Sequence, residues 1–290
     1  MQLSIITINY NNAEGLRKTL ASVAAQTYRD IEHIVIDGAS IDGSVEVIKD
    51  YVNQCLMYDV LWVSEKDNGI YHAMSKGVQR ATGDYVWILN SGDCVATPDA
   101  VERMMNTIHS FGDKTGLPIL LGNIVKVYSE GKMVSEKKMS KANTPKSMDV
   151  SMLTFYKGTV PQDAAFVRRD LFEKYGCFDE TMKICADWKL YLDMIALGGV
   201  VPMYVDIDVV LFDMSGVSNV NHKQRLAERR AYLEKILPPS VLCDYDMYAF
   251  PIIQYQRLKK HHLWGLVWFM ERVLFKLEKW GVLRSSQNNV

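Results

Sequence analysis

The feature that most constrains this chain is an alternation, repeated four times in about the first hundred residues, of a short apolar run and an amphipathic stretch. Leu3-Ser-Ile-Ile-Thr-Ile8, His33-Ile-Val-Ile-Asp37, Val60 to Ser64 and Tyr85-Val-Trp-Ile-Leu89 have the composition of buried strands. Between them lie helical patterns over 13 to 25, from Ser44, and from Ile70 to Ala81. Asn12 is placed to cap the first helix, and Gly83 stands where a left-handed cap would end the third. One strand and one helix every 25 to 30 residues or so is the spacing of right-handed βαβ crossovers, which dictates a parallel sheet covered by helices.

In such a sheet the carboxyl ends of the strands share one edge, where ligands bind. Here those ends are polar: Asn9 and Tyr10, then Asp37, then Asp67, then Asn90-Ser-Gly-Asp93. An aspartate such as Asp37 can accept a pyrimidine N3–H, and a tyrosine such as Tyr10 can stack on the ring. A carboxylate such as Asp93, next to glycine at a strand mouth, suits a divalent cation carrying phosphates. The competing reading makes Asp37 and Asp93 turn-formers beside Gly38 and Gly92. Neither the dinucleotide glycine fingerprint nor the P-loop motif occurs.

The second half is less regular. A helix near Pro98 to His109, a strand over Pro118 to Tyr128, a Lys- and Ser-rich hairpin or loop over 129 to 150, and a short strand at Ala164 to Val167 follow in turn. A short helix over Arg168 to Tyr175, a helix from Asp187 to Leu197, and two strands, Val200 to Val205 and Val209 to Met214, complete the pattern. Near 220 the composition turns helical. We therefore expect one domain over 1–220, in two halves (1–97 and 98–220), and a helical extension over 221–290.

At 290 residues the chain can bury a large core, and its net charge of −1 offers no basic face for nucleic acid. Five cysteines without C-x-x-C spacing fit neither a disulfide framework nor a zinc knuckle, and point to a reducing compartment. No secretory leader is legible, and no apolar run approaches the roughly 18 to 20 residues of a membrane span. A cytoplasmic protein is expected. Over 259–284, six Lys or Arg against two Glu interleave with Trp264, Trp268, Phe269, Phe275 and Trp280. That pattern suits a helix lying in a membrane interface, on the inner face. A helix packed on the domain, or on a second copy in a homodimer, is the slightly favoured reading of the same stretch.

Four segments then carry a resemblance: Leu3 to Asn12, Ile36-Asp-Gly-Ala-Ser-Ile-Asp-Gly-Ser44, Ser64 to Gly77, and Ala81 to Asp93. Together they resemble the inverting family 2 glycosyltransferases, most closely bacterial members that build surface and capsular polysaccharides. Pro161-Gln-Asp-Ala-Ala-Phe166, Cys185-Ala-Asp-Trp188 and Ser215-Gly-Val-Ser218 look like later motifs of that family. The resemblance implies a GT-A-type α/β fold, a nucleotide-diphosphate sugar donor (a UDP-sugar above all), a glycan or lipid-linked acceptor, and Mn²⁺ or Mg²⁺. It implies nucleotide contacts from Thr7, Asn9, Tyr10, Asp37, Asp67, Lys76 and Asn90, metal ligation by Asp93, and Asp187 as catalytic base. The metal motif is thinned here, with Asn90 and Gly92 beside a single aspartate. A carboxylate makes a hydroxyl nucleophilic by taking its proton as the bond forms, although Asp187 also fits a plain helix cap. Two rivals follow: a nucleotidyltransferase that makes nucleotide sugars, and a non-catalytic subunit that binds them.

Overall fold

A computed structural model describes residues 1–290 except 56, 113–115, 129–131, 137–145, 215–221, 262 and 280–290. The Ser215–Ser218 motif, the composition shift near 220, Trp280 and much of the 129–150 loop therefore lie outside the described residues. The chain forms two compact units, Met1–Tyr232 and Leu233–Val290.

The first unit opens with β1 (Leu3–Asn9), α1 (Ala13–Ala24), β2 (Ile31–Asp37), α2 (Ser44–Gln54), β3 (Asp59–Ser64), α3 (Ile70–Arg80) and β4 (Tyr85–Ile88). These four strands lie parallel in the order β3-β2-β1-β4. The expected alternation and helix-flanked sheet are thus observed. Their faces are filled by the apolar runs that announced them, with Leu3, Ile5, Ile34, Ile36 and Trp87 each about 0 % exposed. Asn12 accepts from the Gly15 amide at 3.1 Å and caps α1. Gly83, by contrast, is no left-handed cap. It lets two backbones touch, since a Cβ there would lie 2.7 Å from Ser4 Oγ and 2.9 Å from Gln2 O.

Beyond β4 come β5 (Cys94–Val95), α4 (Ala100–His109), β6 (Ile119–Val127), β7 (Met133–Glu136), β8 (Lys146–Ser147), α5 (Met152–Lys157) and β9 (Ala165–Arg168). They are followed by α6 (Asp170–Tyr175), α7 (Ala186–Tyr191) and β10 (Met203–Asp213). β9 runs antiparallel between β4 and β6, while β6 and β10 pair in parallel, so one sheet runs through both halves. Two expectations are corrected. The segment read as two strands is the single β10, whose register shifts between Tyr204 and Val210 absorb the break in pattern. The helix from Asp187 divides into α7 and a π-helical turn, Leu192–Leu197. Where the polar 129–150 region is described it contains strand, as the hairpin reading expects, with β7 antiparallel on β6 and β8 on β10.

Among the described residues the last three helices are α8 (His222–Ile236), α9 (Pro239–Lys260) and α10 (Trp264–Lys279). No helix of the described residues is long and apolar enough to cross a membrane.

Candidate active site

The register of β1, β2 and β3 sets Asn9, Asp37 and Ser64 side by side at the strand ends. Asp37 is fully buried and all its acceptor positions are engaged. Oδ1 accepts from Asn9 Nδ2 at 2.8 Å and Ser40 Oγ at 2.6 Å; Oδ2 accepts from the Ser40 amide at 3.0 Å and Ser64 Oγ at 2.6 Å. Burial pushes the carboxyl up, but the donors from Ser40, Ser64 and Asn9 outweigh it and hold its pKa below the ordinary value. Asn9 Oδ1 is left buried without a hydrogen-bond partner. At the same rim Tyr10 is 70 % exposed. A Cβ on Gly38 would lie 3.0 Å from the Tyr10 ring and 3.2 Å from Asp67 Oδ2, which places both around the Gly38 backbone. Asp67 is fixed by Lys76 Nζ at 2.5 Å and His72 Nδ1 at 3.2 Å, both from α3. Burial lowers the Lys76 pKa, but Asp67 and Glu65 more than compensate and leave it raised.

The loop after β1 ties this rim to β4. The Asn11 amide donates to Ser40 Oγ at 2.8 Å, and Asn12 Nδ2 donates to Ser91 O at 3.2 Å. Thr19 of α1 anchors the turn beyond β4, donating to Asp93 O at 2.6 Å and accepting from the Gly92 amide at 3.0 Å. Gly92 has φ +106°, which only glycine adopts without strain, and this turns the Asp93 side chain inward. Asp93 is 6 % exposed and accepts from the Asp213 amide at 2.9 Å. Burial drives its carboxyl up to about 8; that amide opposes the shift, and the Asp163 and Asp213 charges add to it. Asn90 Oδ1 is a second buried oxygen without a partner.

Asp187, on the first turn of α7, faces the same region. Tyr71 OH donates to its Oδ1 at 3.2 Å, the Trp188 amide to Oδ1 at 2.7 Å, and Gln162 Nε2 to Oδ2. Burial raises its pKa against those donors and the Arg229 charge. Asp163 is carried up to about 7, by burial first and then by the Asp187 charge. Asp93, Asp163 and Asp187 therefore sense one another in series. Tyr71 closes the ring, because it stands on the same helix as His72 and Lys76.

Asn9 and Asp37 are joined by a hydrogen bond, Tyr10 and Asp67 flank Gly38 with Lys76 paired to Asp67, and Asn90 and Asp93 follow β4 on the same side of the sheet; Asp187 is linked to α3 through Tyr71. Thr7 stands apart. It lies two residues inside β1, fully buried, with its hydroxyl 3.0 Å from His33 Nε2. Ser40, Ser64, Tyr71 and Gln162 escaped the sequence reading. Ser40 was findable as the i+3 partner of an Asp-Gly turn, whereas Tyr71 and Gln162 meet Asp187 only through the fold.

Among the described residues no group of three or more His, Cys, Asp or Glu is arranged to hold a metal. Asp93 still fits part of a divalent site. It is a carboxylate raised first by its burial and then by two acidic neighbours, and no cationic side chain pairs with it among the described residues. A hard cation would relieve this charge while taking its remaining oxygens from a ligand's phosphates.

The sequence matches the model of the family described as "Glycosyl transferase family 2" over residues 4–176. The chain belongs to glycosyltransferase family 2. Among the relatives of this family 2 glycosyltransferase, an uncharacterized glycosyltransferase of Mycobacterium tuberculosis (strain ATCC 25618 / H37Rv) is 33 % identical over 196 residues, 66 % of this chain and 67 % of the relative. A PGL/p-HBAD biosynthesis glycosyltransferase of Mycobacterium bovis (strain BCG / Pasteur 1173P2) is 25 % identical over 217 residues, 74 % of this chain and 78 % of the relative. Among solved structures, S. aureus TarS in complex with UDP superposes with a TM-score of 0.58 at 19 % identity, covering 74 % of this chain and 61 % of the TarS chain. The Pyrobaculum calidifontis mannosyltransferase PcManGT, in complex with GDP-Man and Mn²⁺, gives 0.57 at 18 % identity, covering 86 % and 69 %. At such identities the likeness establishes the GT-A-like fold.

Proposed function

We propose that this glycosyltransferase inverts the anomeric carbon while moving a sugar from a nucleotide-diphosphate sugar, a UDP-sugar by preference, to a glycan or lipid-linked acceptor in surface polysaccharide synthesis. The observation that carries this reading is that Asp37 ends β2 and Asp93 follows β4, the two parallel strands flanking β1, with Asp187 hydrogen-bonded to Tyr71 of the helix that follows β3. Structures with UDP, UDP-GlcNAc and GDP-Man bound to neighbours of the same fold support the donor class.

In this reading Tyr10 stacks on the base. Asp37 takes a base N–H in exchange for one serine hydroxyl, while the Ser40 amide keeps the carboxylate in place. The partnerless oxygens of Asn9 and Asn90 are acceptors available to donor N–H or O–H groups. Thr7 acts from beneath, through His33. Asp67 and Lys76 face the ribose and diphosphate. Asp93 would hold Mn²⁺ or Mg²⁺, which would supply positive charge against the diphosphate. Asp187, its pKa raised by burial, takes the acceptor hydroxyl proton as the sugar bond forms, and Tyr71 and Gln162 keep its oxygens aimed.

The lipid-linked acceptor is favoured by α10. Leu266, Trp268, Phe269, Met270 and Phe275 are exposed, Arg272 sits 4.5 Å from the Trp268 ring centroid, and Lys276 and Lys279 lie in the last turn. Aromatic and basic residues on one such helix suit an anionic membrane surface on the cytoplasmic side. A homodimer formed through this helix would instead show a concentration-dependent mass in solution.

A thermal-shift screen of UDP- and GDP-sugars with and without Mn²⁺ tests the donor, since a ligand of the native state raises the melting temperature. Product analysis tests the reaction. Release of nucleoside diphosphate is expected; pyrophosphate would mean a nucleotidyltransferase, and no turnover with any bound donor would mean a binding subunit.

A further inference from the structure

α8 stands outside the segments that carry the family resemblance, yet one of its faces grips the turn on which Asp187 sits. Glu228 accepts three successive backbone amides: Lys183 at 3.1 Å on Oε1, and Ile184 at 2.9 Å and Cys185 at 3.1 Å on Oε2. These are the residues that lead into α7, which has no side-chain cap of its own. An anionic acceptor at that point takes up amides that would otherwise be unpaired, and its charge complements the positive helix start. The Cys185 thiol donates to Arg225 O at 3.4 Å. The Arg229 guanidinium lies 5.2 Å from the Trp188 ring centroid, and its Nη1 donates to Gly158 O at 3.2 Å. The Tyr232 ring stands edge-on to Trp188 at 6.1 Å, and its hydroxyl donates to Asp193. Positions 225, 228, 229 and 232 form one helical stripe.

We infer that Glu228 and Arg229 are positioning residues for the candidate base: Glu228 fixes where α7 begins and Arg229 locks Trp188, so that Asp187 between them can point only into the acidic edge. This rests on the reading of Asp187 as the base. Geometry at this level matters, because small displacements of a catalytic group cost orders of magnitude in rate. The groups that act on Asp187 are Tyr71 from α3, Asp163 from the turn before β9, Cys185 and Tyr191 around its own helix, and Arg229 from α8. Arg229 is the cation among them, so its removal has a distinct electrostatic signature.

The test uses the full chain and two readouts. In a carboxyl ¹³C NMR titration of Asp187 without donor, R229Q should raise its pKa by about half a unit or more, while R229K leaves it near that of the unaltered protein. In amide exchange, E228Q should speed Lys183, Ile184 and Cys185 by about tenfold or more without loosening β1 or β2. Release of UDP from UDP-GlcNAc or UDP-glucose in Mn²⁺, with D187N as control, should show kcat falling about tenfold or more in E228Q at a donor KM within about twofold. An unmoved Asp187 titration in R229Q together with unchanged exchange in E228Q overturns the inference, as does wild-type kcat in both variants. Retained turnover in D187N would instead remove the base assignment, and the titration and exchange results would then still decide whether α8 positions this turn.

Discussion

Two sets of carboxylates on the same edge are held in opposite ways. Asp37 sits among four donor contacts, enough to hold its pKa down despite complete burial. Asp93 is buried and Asp163 and Asp187 are half-buried, each with fewer donors, and burial first, then neighbouring charge for Asp93 and Asp163, raises all three. The first arrangement satisfies itself and can serve as a fixed template. The second is left electrostatically expensive, and relief comes from a proton or a cation. A reaction that needs one rigid recognition element and one exchangeable charge site is served by that division.

The largest way to break this comparison is D187N. If Asp187 is the proton acceptor, the change should cut turnover by roughly 10²- to 10⁴-fold while a donor's thermal shift stays the same. Comparable activity in the variant would place the base elsewhere. D37N comes next, because it forces an amide donor against Asn9 and Ser40. A loss of about 1–3 kcal/mol in chemical denaturation, with weaker donor binding, is expected. Unchanged stability would show that the four contacts do not hold the template.

Asp93 provides a sign test. Its folded pKa is raised from 3.8 to about 8, so its contribution to stability is greatest at low pH and is lost as pH rises between those values. D93N should therefore melt a few degrees above the natural protein at pH 8, at about 2–4 °C per kcal/mol, and near it at pH 4. Added Mn²⁺ should stabilise the natural protein at pH 8 and not the variant. A variant that melts lower at pH 8 would contradict the strained-charge account. The smallest effect belongs to S64A, which removes one of the Asp37 donors. A cost of about 0.5–1.5 kcal/mol is expected, with the loss on acidification smaller and complete at a higher pH than in the natural protein.

The alternation of strands and helices was legible because buried strands and amphipathic helices leave periodic marks. The polar residues after each strand were legible because the topology of a parallel sheet sends all such ends to one edge. β10 was misread as two strands because its register shifts interrupt the apolar pattern, a feature set by its pairing with β6. The extra role of α8 was hidden for a related reason: Arg225, Glu228 and Arg229 look like ordinary solvated charges until the backbone they contact is known.

What the sequence alone determined, then, is the sheet, its edge and the cast of residues along it, since these follow from local periodicity and one topological rule. Only the tertiary structure decided which carboxylates are satisfied and which are strained, that Thr7 lies behind the rim, and that α8 caps the turn carrying Asp187. Those outcomes depend on donors separated by tens to more than a hundred positions, and no local pattern records how many of them arrive.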